Sequence, residues 1–600
     1  MKLSTLAIAA AACAAALTTL SSSNPVHADE GREWAVRALK LQAHLGDDVP
    51  LSETIWVGTH NSFANPSDDN LMDYNQPVSL EEQLDTGVRH LVFDVHYEHD
   101  ELRLCHNNTK YRACLDGATG NRKFARGLDD IAEWIREGNH HHVVLLKLSL
   151  ADSARRNINK VQHKLENQLG RYIFPTTIAP STHGDLNPDT GCTTLRPDLI
   201  TKRRVLEAGK NVIVFVAEAP NPDNPSEGCI SDGGFNDLVF YGHLTVPQPS
   251  SPEELAAAAD GDQMLYRVKD GATRDHEFDD ARDAKIKPTT VDDWLDAGLN
   301  IFEMYGFGAT TARWQLKGIE PNTPGEMPVV PEDMVWSWLE SQPDDGASRN
   351  QGTEDCAAAA VPHGLDDRVC SQVYHLACYG DDTGWVVTDH QGPWWDGFTH
   401  CPAGTRFRAP KNKQDLNQLY DAAPGLVRVW VNYNDQLVEG EWVADVPSSN
   451  WQYQRRWSVT EIVGGSGGSW FSDFEQLVLD LYRPTRYIAK LEIAAGNRVD
   501  KVRVTYSDGR EVSHGSNDPN HTMTLDAQEY LGSVEVCVKE KNGSLRVFYL
   551  DFTTNRGRHL AGGSREGTCR TFAQDGREIF ALRGRSGAEI DAISFYFRQR

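Results

Sequence analysis

Between residues 50 and 340, short apolar runs alternate with capped helical stretches, and this constrains the fold of the chain more than any other feature. The runs fall at 54–57, 90–95, 143–150, 211–217, 264–268 and 300–305. Two of the intervening helices mark their own starts. Ser79-Leu80-Glu81-Glu82 has the spacing of a capping box, and Ser251-Pro252-Glu253-Glu254 joins a cap to a proline at the first helical position. Repeated strand–helix units of this length predict a parallel sheet covered on both faces, and about 300 residues suit a closed α/β barrel.

Six hundred residues exceed what one hydrophobic core supports, so several domains are expected. From 350 to 457 the helical periodicity fades, and Gly, Pro, Trp and four cysteines accumulate, which predicts a small disulfide-braced β module. After Gly464-Gly465-Ser466-Gly467-Gly468, read as a boundary, alternating strands at 488–493, 501–506, 532–538 and 545–552 are separated by turn signals such as Ser507-Asp508-Gly509. The expected division is therefore a signal peptide at 1–28, an α/β unit at 29–349, the β module at 350–457 and an all-β unit at 458–600. The signal rests on Lys2, the apolar run 6–20 and the small residues ending at Ala28, and it implies export. Ten of the eleven cysteines remain after its removal. They group as Cys105/Cys114, Cys192/Cys229, Cys537/Cys569 and the set Cys356, Cys370, Cys378 and Cys401, whose three connectivities stay open. No C-x-x-C spacing suggests zinc, and disulfides fit an oxidising compartment. A net charge of -27 argues against a nucleic-acid partner and against general adsorption to anionic membranes.

Three strand ends in the first unit carry unusual polar residues: Gly58-Thr59-His60-Asn61-Ser62, then Arg89-His90-Leu91-Val92-Phe93-Asp94-Val95-His96, then Leu104-Cys105-His106-Asn107. Alternation puts Val92, Asp94 and His96 on one face, and an inward face that turns polar at its C-terminal end is what a barrel active site requires. Imidazole titrates near neutrality, so His60 and His106 suit a general base and a general acid.

These segments resemble the X-region of phosphatidylinositol-specific phospholipase C, in its secreted bacterial and fungal branch, over about residues 50–340. The resemblance implies a distorted TIM-like barrel. It implies that His60 deprotonates an inositol 2-hydroxyl and His106 protonates the departing diacylglycerol oxygen of a phospholipid at a membrane surface. Calcium-dependent members hold their metal with an Asn and three carboxylates. Asn61 and Asp94 match that pattern, while Val92 and Ser149 stand where carboxylates are expected. Calcium-independent relatives use an Arg where this chain has His96. Lys147 shares a face with Ser149 and either supplies the missing charge, assisted by His96, or snorkels at the strand end. Glu303 is a candidate to orient His60, with Glu218 and Asp270 as rivals. Arg89 and Asp85 are read as structural.

Residues 464–600 resemble a jacalin-type lectin, on Gly467-Gly468-Ser469-Trp470-Phe471, Tyr549-Leu550-Asp551-Phe552 and Gly587-Ala588-Glu589-Ile590-Asp591. That implies a β-prism of three sheets and a glycan site at Gly468, Gly587, Ala588, Glu589 and Asp591. A working lipid phosphodiesterase carrying a lectin is the leading expectation. A phosphodiesterase acting on another phospholipid or glycolipid, and a non-catalytic glycan-binding adhesin, remain alternatives.

Overall fold

The computed structural model describes residues 25–65, 76, 78–105, 122–137, 139–178, 184–188, 191–216, 229–230, 233–242, 249–258, 265–269, 290–304, 331–344, 354–435, 442–446, 457–473, 487–541 and 543–599. His106, Cys114, Glu218, Asp270 and the first 24 residues lie outside them. None of the helices among the described residues is long and apolar enough to cross a membrane.

The N-terminal region is α/β. Its strands are β1 (Trp56–Thr59), β2 (His90–Glu98), β3 (Glu101–Leu104), β4 (Arg122–Lys123), β5 (Val144–Leu150), β6 (Gly184–Leu186), β7 (Thr193–Leu195), β8 (Val212–Val216), β9 (Phe240–Tyr241), β10 (Arg267–Lys269) and β11 (Ile301–Met304). The main path runs β10-β11-β1-β2-β5-β8-β9-β7-β6, and β3 and β4 form an antiparallel extension of β2. All pairs from β10 to β7 are parallel. The order follows the chain from β1 to β9, except that β10 and β11 come round to flank β1 and that β7 and β6 lie outside β9. Among the described residues no pairing joins β10 to the far edge, so hydrogen-bonded closure of the expected barrel is not seen.

Alternation along these strands sorts side chains into two apolar clusters. Leu91, Phe93, Leu146, Leu148, Val214 and Phe302 face the helices, together with Leu128, Ile131 and Leu165. Trp56, Leu145, Ile213, Phe215, Leu265 and Ile301 pack on the other face. That second face changes character toward the strand C-termini, where Glu303, Lys147 and Arg267 follow Ile301, Leu145 and Leu265 at two-residue steps. The helix Leu80–Asp85 has its capping box, with Ser79 Oγ accepting from the Glu82 amide and the Ser79 amide donating to Glu82.

The seven-stranded sheet of the middle region, with strands from Cys356–Ala360 to Val443–Ala444, joins the outer core of the α/β unit through Ala357, Leu365, Ala377 and Tyr433. Tyr433 Oη donates to the Leu41 carbonyl at 3.0 Å. The helix Lys413–Ala422 and the single turn Gly397–His400 interrupt the expected all-β pattern. The longer one is capped by Asn412, whose side chain accepts from the Asp415 amide. The four-cysteine set pairs as Cys356–Cys370 and Cys378–Cys401. Cys192–Cys229 and Cys537–Cys569 are bonded, and Cys105 is disulfide-bonded.

The C-terminal region builds three antiparallel sheets around a core of its own, including Leu491, Val504, Val536, Leu550, Ile593 and Phe595. This is the expected β-prism. The glycine run is not a linker between folded units. Trp457–Val459 and Val463–Gly464 already pair with Ile590–Gln599, so the prism begins before the run.

Candidate functional site

Glu303 is fully buried and gathers four partners from four other parts of the α/β unit. Its Oε2 lies 2.7 Å from Arg267 Nη1 and 3.3 Å from His60 Nδ1. Its Oε1 lies 3.1 Å from His90 Nε2 and 3.3 Å from Lys147 Nζ. Burial alone would push this carboxyl up, but Arg267 and Lys147, helped by hydrogen bonds from His60 and His90, hold it well below the usual carboxylate range. It is ionised at neutral pH. His90 is lowered as well, since burial reduces its basicity more than Glu303 restores it, and here that leaves the group neutral.

These contacts report the shape of the sheet. Glu303 on β11 and Lys147 on β5 are three strand positions apart, roughly 14 Å in a flat sheet, where side chains stand parallel. Their meeting at 3.3 Å requires strong curvature with this face concave. Gly58, between them on β1, makes the crossing possible. It pairs with Glu303 on one side and His90 on the other, and a Cβ there would sit 2.8 Å from His90 Cδ2 and 2.7 Å from the Phe302 carbonyl oxygen.

The turn carrying His60 is held on several sides. Asn61 adopts φ 45°, in the left-handed region that Asn tolerates better than most residues. Gln76 donates to the carbonyls of His60 (2.7 Å) and Met304 (2.9 Å). Gln83 donates to the Ser62 carbonyl (2.8 Å) and accepts from Thr59 Oγ1 (2.7 Å), while Ser62 Oγ accepts from the Val92 amide (2.9 Å). His60 keeps 12 % of its side-chain surface exposed and Arg267 11 %, whereas Glu303 keeps none, so the network reaches solvent through the imidazole and the guanidinium. Contact at Nδ1 assigns that nitrogen the proton and leaves Nε2 to accept one.

Asn61 is buried at the same turn. Asp94 pairs in register with Ser149, and Val92 with Lys147. His96 is buried beyond Asp94 and pairs with Arg103 of β3. The implied calcium ion is poorly matched by this donor set. A hard dication favours six to eight oxygens, but here Val92 and Ser149 replace carboxylates, and the ammonium of Lys147 and guanidinium of Arg267 converge where negative charge is needed. His90 and Arg267 escaped the sequence reading. His90 shares the parity of Val92, Asp94 and His96, which was an available signal; Arg267 offered none. Arg89 packs over the Trp134 ring at 4.6 Å and donates to the Leu84 carbonyl, and Asp85 accepts from Trp134 Nε1, as structural roles require.

In the prism, Gly468 (φ 65°) lies against the Gly587–Asp591 loop, where a Cβ would come within 2.5 Å of Asp591 Oδ2. Asp591 is bound from the side by Arg546, with Nε 2.9 Å from Oδ1. The same guanidinium lies 3.3 Å from Glu589, which also pairs with Arg498. The Gly587 amide donates to the Glu589 carbonyl, and Ser516 Oγ to the Ala588 carbonyl at 2.6 Å, fixing the loop. Arg585 clamps the carbonyls of Gly467 and Gly468. Arg546 is the residue here that sequence reading did not find.

Residues 25–224 match the family model described as "Rv2075c PI-PLC-like domain", and residues 460–596 match the "Jacalin-like lectin domain". The chain is 25 % identical over 429 residues to "Uncharacterized protein Rv2075c" of Mycobacterium tuberculosis (strain ATCC 25618 / H37Rv), an alignment spanning 67 % of this chain and 80 % of that protein. It is 30 % identical over 141 residues to Horcolin of Hordeum vulgare, spanning 22 % of this chain and 91 % of Horcolin. Among solved structures it is similar to Malaysian Banana Lectin, at 27 % identity over 24 % of this chain and 99 % of that one, with a TM-score of 0.21.

Proposed function

We propose that this chain, which carries a PI-PLC-like domain and a jacalin-like lectin domain, is an exported phosphodiesterase that cleaves phosphatidylinositol-type lipids at glycan-bearing surfaces. The carrying observation is the Glu303 hub. Glu303 holds His60 by Nδ1, so Nε2 can take the proton from an attacking hydroxyl. Two permanent cations, Lys147 and Arg267, converge on Glu303 beside His60, and positive charge there suits a phosphodiester and the charge that builds on it during attack. The concave sheet, polar at its C-terminal end, is compatible with the distorted TIM-like barrel. By resemblance, His106 protonates the leaving diacylglycerol oxygen, and the products are diacylglycerol and a cyclic inositol phosphate.

The intact pairing of His60 with Glu303 favours an enzyme over an adhesin, because a disused site has no need to keep a buried carboxylate among two cations and two imidazoles. The lectin region then holds the enzyme at its substrate through Gly468 and the Gly587–Asp591 loop. The test is incubation of the full chain with vesicles of phosphatidylinositol or phosphatidylcholine, beside His60→Ala. Release of cyclic inositol phosphate by the native chain alone supports the proposal. Cleavage of phosphatidylcholine only would move the substrate to another phospholipid, and turnover of neither would favour the adhesin.

A further inference from the structure

Just before the N-terminal end of β5 lies a second group of chemically capable side chains. His44 follows the helix Pro25–Gln42, and His141 and His142 immediately precede β5. The three rings are in mutual contact. Centroids of His44 and His142 are 4.7 Å apart, those of His141 and His142 4.0 Å, and those of His44 and His141 5.0 Å. One ligating nitrogen from each lies within 4.8 Å of the other two. We propose that His44, His141 and His142 bind one borderline transition-metal dication of the zinc class, with water completing the coordination.

The surroundings support a built site. Asn211 Nδ2 donates to the carbonyls of His140 (2.7 Å) and His142 (2.9 Å), pinning the backbone of the two adjacent histidines. Trp134 stacks on His142 at 5.6 Å, fixing that ring. Asp47 Oδ2 stands 3.6 Å from His44 Nδ1, and its Oδ1 is bound to Lys202 at 2.8 Å. A carboxylate beside Nδ1 orients the ring, the usual arrangement behind a metal-bound histidine. Three nitrogens and no free carboxylate select against calcium and magnesium and for zinc, copper or nickel. A tetrahedral ion at about 2.0–2.1 Å from each nitrogen needs them roughly 3.3 Å apart, against separations within 4.8 Å here.

The test uses the full chain without an affinity-tag histidine. Zinc binding is measured by equilibrium dialysis and melting temperature, and cobalt(II) substitution by its visible absorption. His44→Ala and His141→Ala change half-buried rings, leaving the stacked His142 in place. A double variant, His390→Ala with His400→Ala, removes the exposed His390, Asp396 and His400 group as a control. The expected result is one zinc per chain, an intense tetrahedral cobalt spectrum and a raised melting temperature. Affinity should fall at least about 10–100-fold in His44→Ala and in His141→Ala, and about 10-fold in Asp47→Asn, with the control unchanged. No zinc uptake by the native chain would overturn the proposal. So would uptake that survives both single substitutions, or that disappears in the control.

Discussion

The Glu303 carboxylate and the His60 imidazole meet at 3.3 Å, across 243 residues of sequence, at a point where a buried charge network reaches solvent. Glu303→Gln keeps the volume but removes the charge. Turnover is expected to fall by about 100-fold or more, with the loss in kcat rather than KM, because the base loses its orientation and substrate contacts remain. The same change removes the buried anion shared by Lys147 and Arg267, so a stability loss of about 3–5 kcal/mol is expected by denaturant unfolding.

Gly58→Ala tests the crossing of β1. The added methyl would meet the Phe302 carbonyl and the His90 ring, so the contact between His90 and Glu303 must open. A cost of about 1–3 kcal/mol is expected, with activity reduced although no polar group was altered. Unchanged melting and unchanged turnover would mean the sheet is less curved than the Lys147 contact requires.

Acid should loosen the α/β unit in two stages. Burial lowers the folded-state basicity of His90, so below about pH 6.5 the unfolded chain takes up a proton that the folded chain refuses. Stability from this group is full above that range and declines as pH falls. Glu303, held low by its cations, adds a decline in the same direction below about pH 4.3. The His90 contribution amounts to at most about 1.4 kcal/mol between pH 6.5 and 5.5. Unfolding of the native chain and of His90→Gln at both pH values reads it, and the substituted chain should show the shallower dependence.

In the lectin region, Asp591→Asn should weaken retention on a glycan column by about 10-fold or more, since charge-assisted hydrogen bonds to sugar hydroxyls are lost. Arg546 competes for the same carboxylate, so Arg546→Ala should retain or strengthen binding. Loss of binding in Arg546→Ala would instead make the guanidinium a sugar contact.

Much of this architecture was legible in local pattern. The runs at 90–95, 143–150 and 211–217 became β2, β5 and β8 with small shifts at their ends, and the capping box at Ser79 formed as its spacing requires. These signals reside within a few residues. The hub is different. Arg267 reaches Glu303 from the neighbouring strand, but Lys147 joins it only because the sheet curves, and curvature is a property of many strands that no short window encodes. The glycine run at 464–468 read as a boundary because flexible linkers and tight approaches use the same residue. Its glycines serve the second purpose, making room for Asp591 and Arg546. Helix Lys413–Ala422 was missed because its buried face, Leu416 and Leu419, is only two side chains wide among Gln, Asn and Asp.

That fixed cations, not calcium, stand beside the phosphate is the centre of the proposed mechanism. It is tested most directly by phosphatidylinositol cleavage in calcium and in chelator, for the native chain and Lys147→Met. Turnover of the native chain should be the same in both conditions, and Lys147→Met should lower it by about 10²–10³-fold in each. If chelator abolishes native turnover while Lys147→Met leaves it intact in calcium, the claim is wrong.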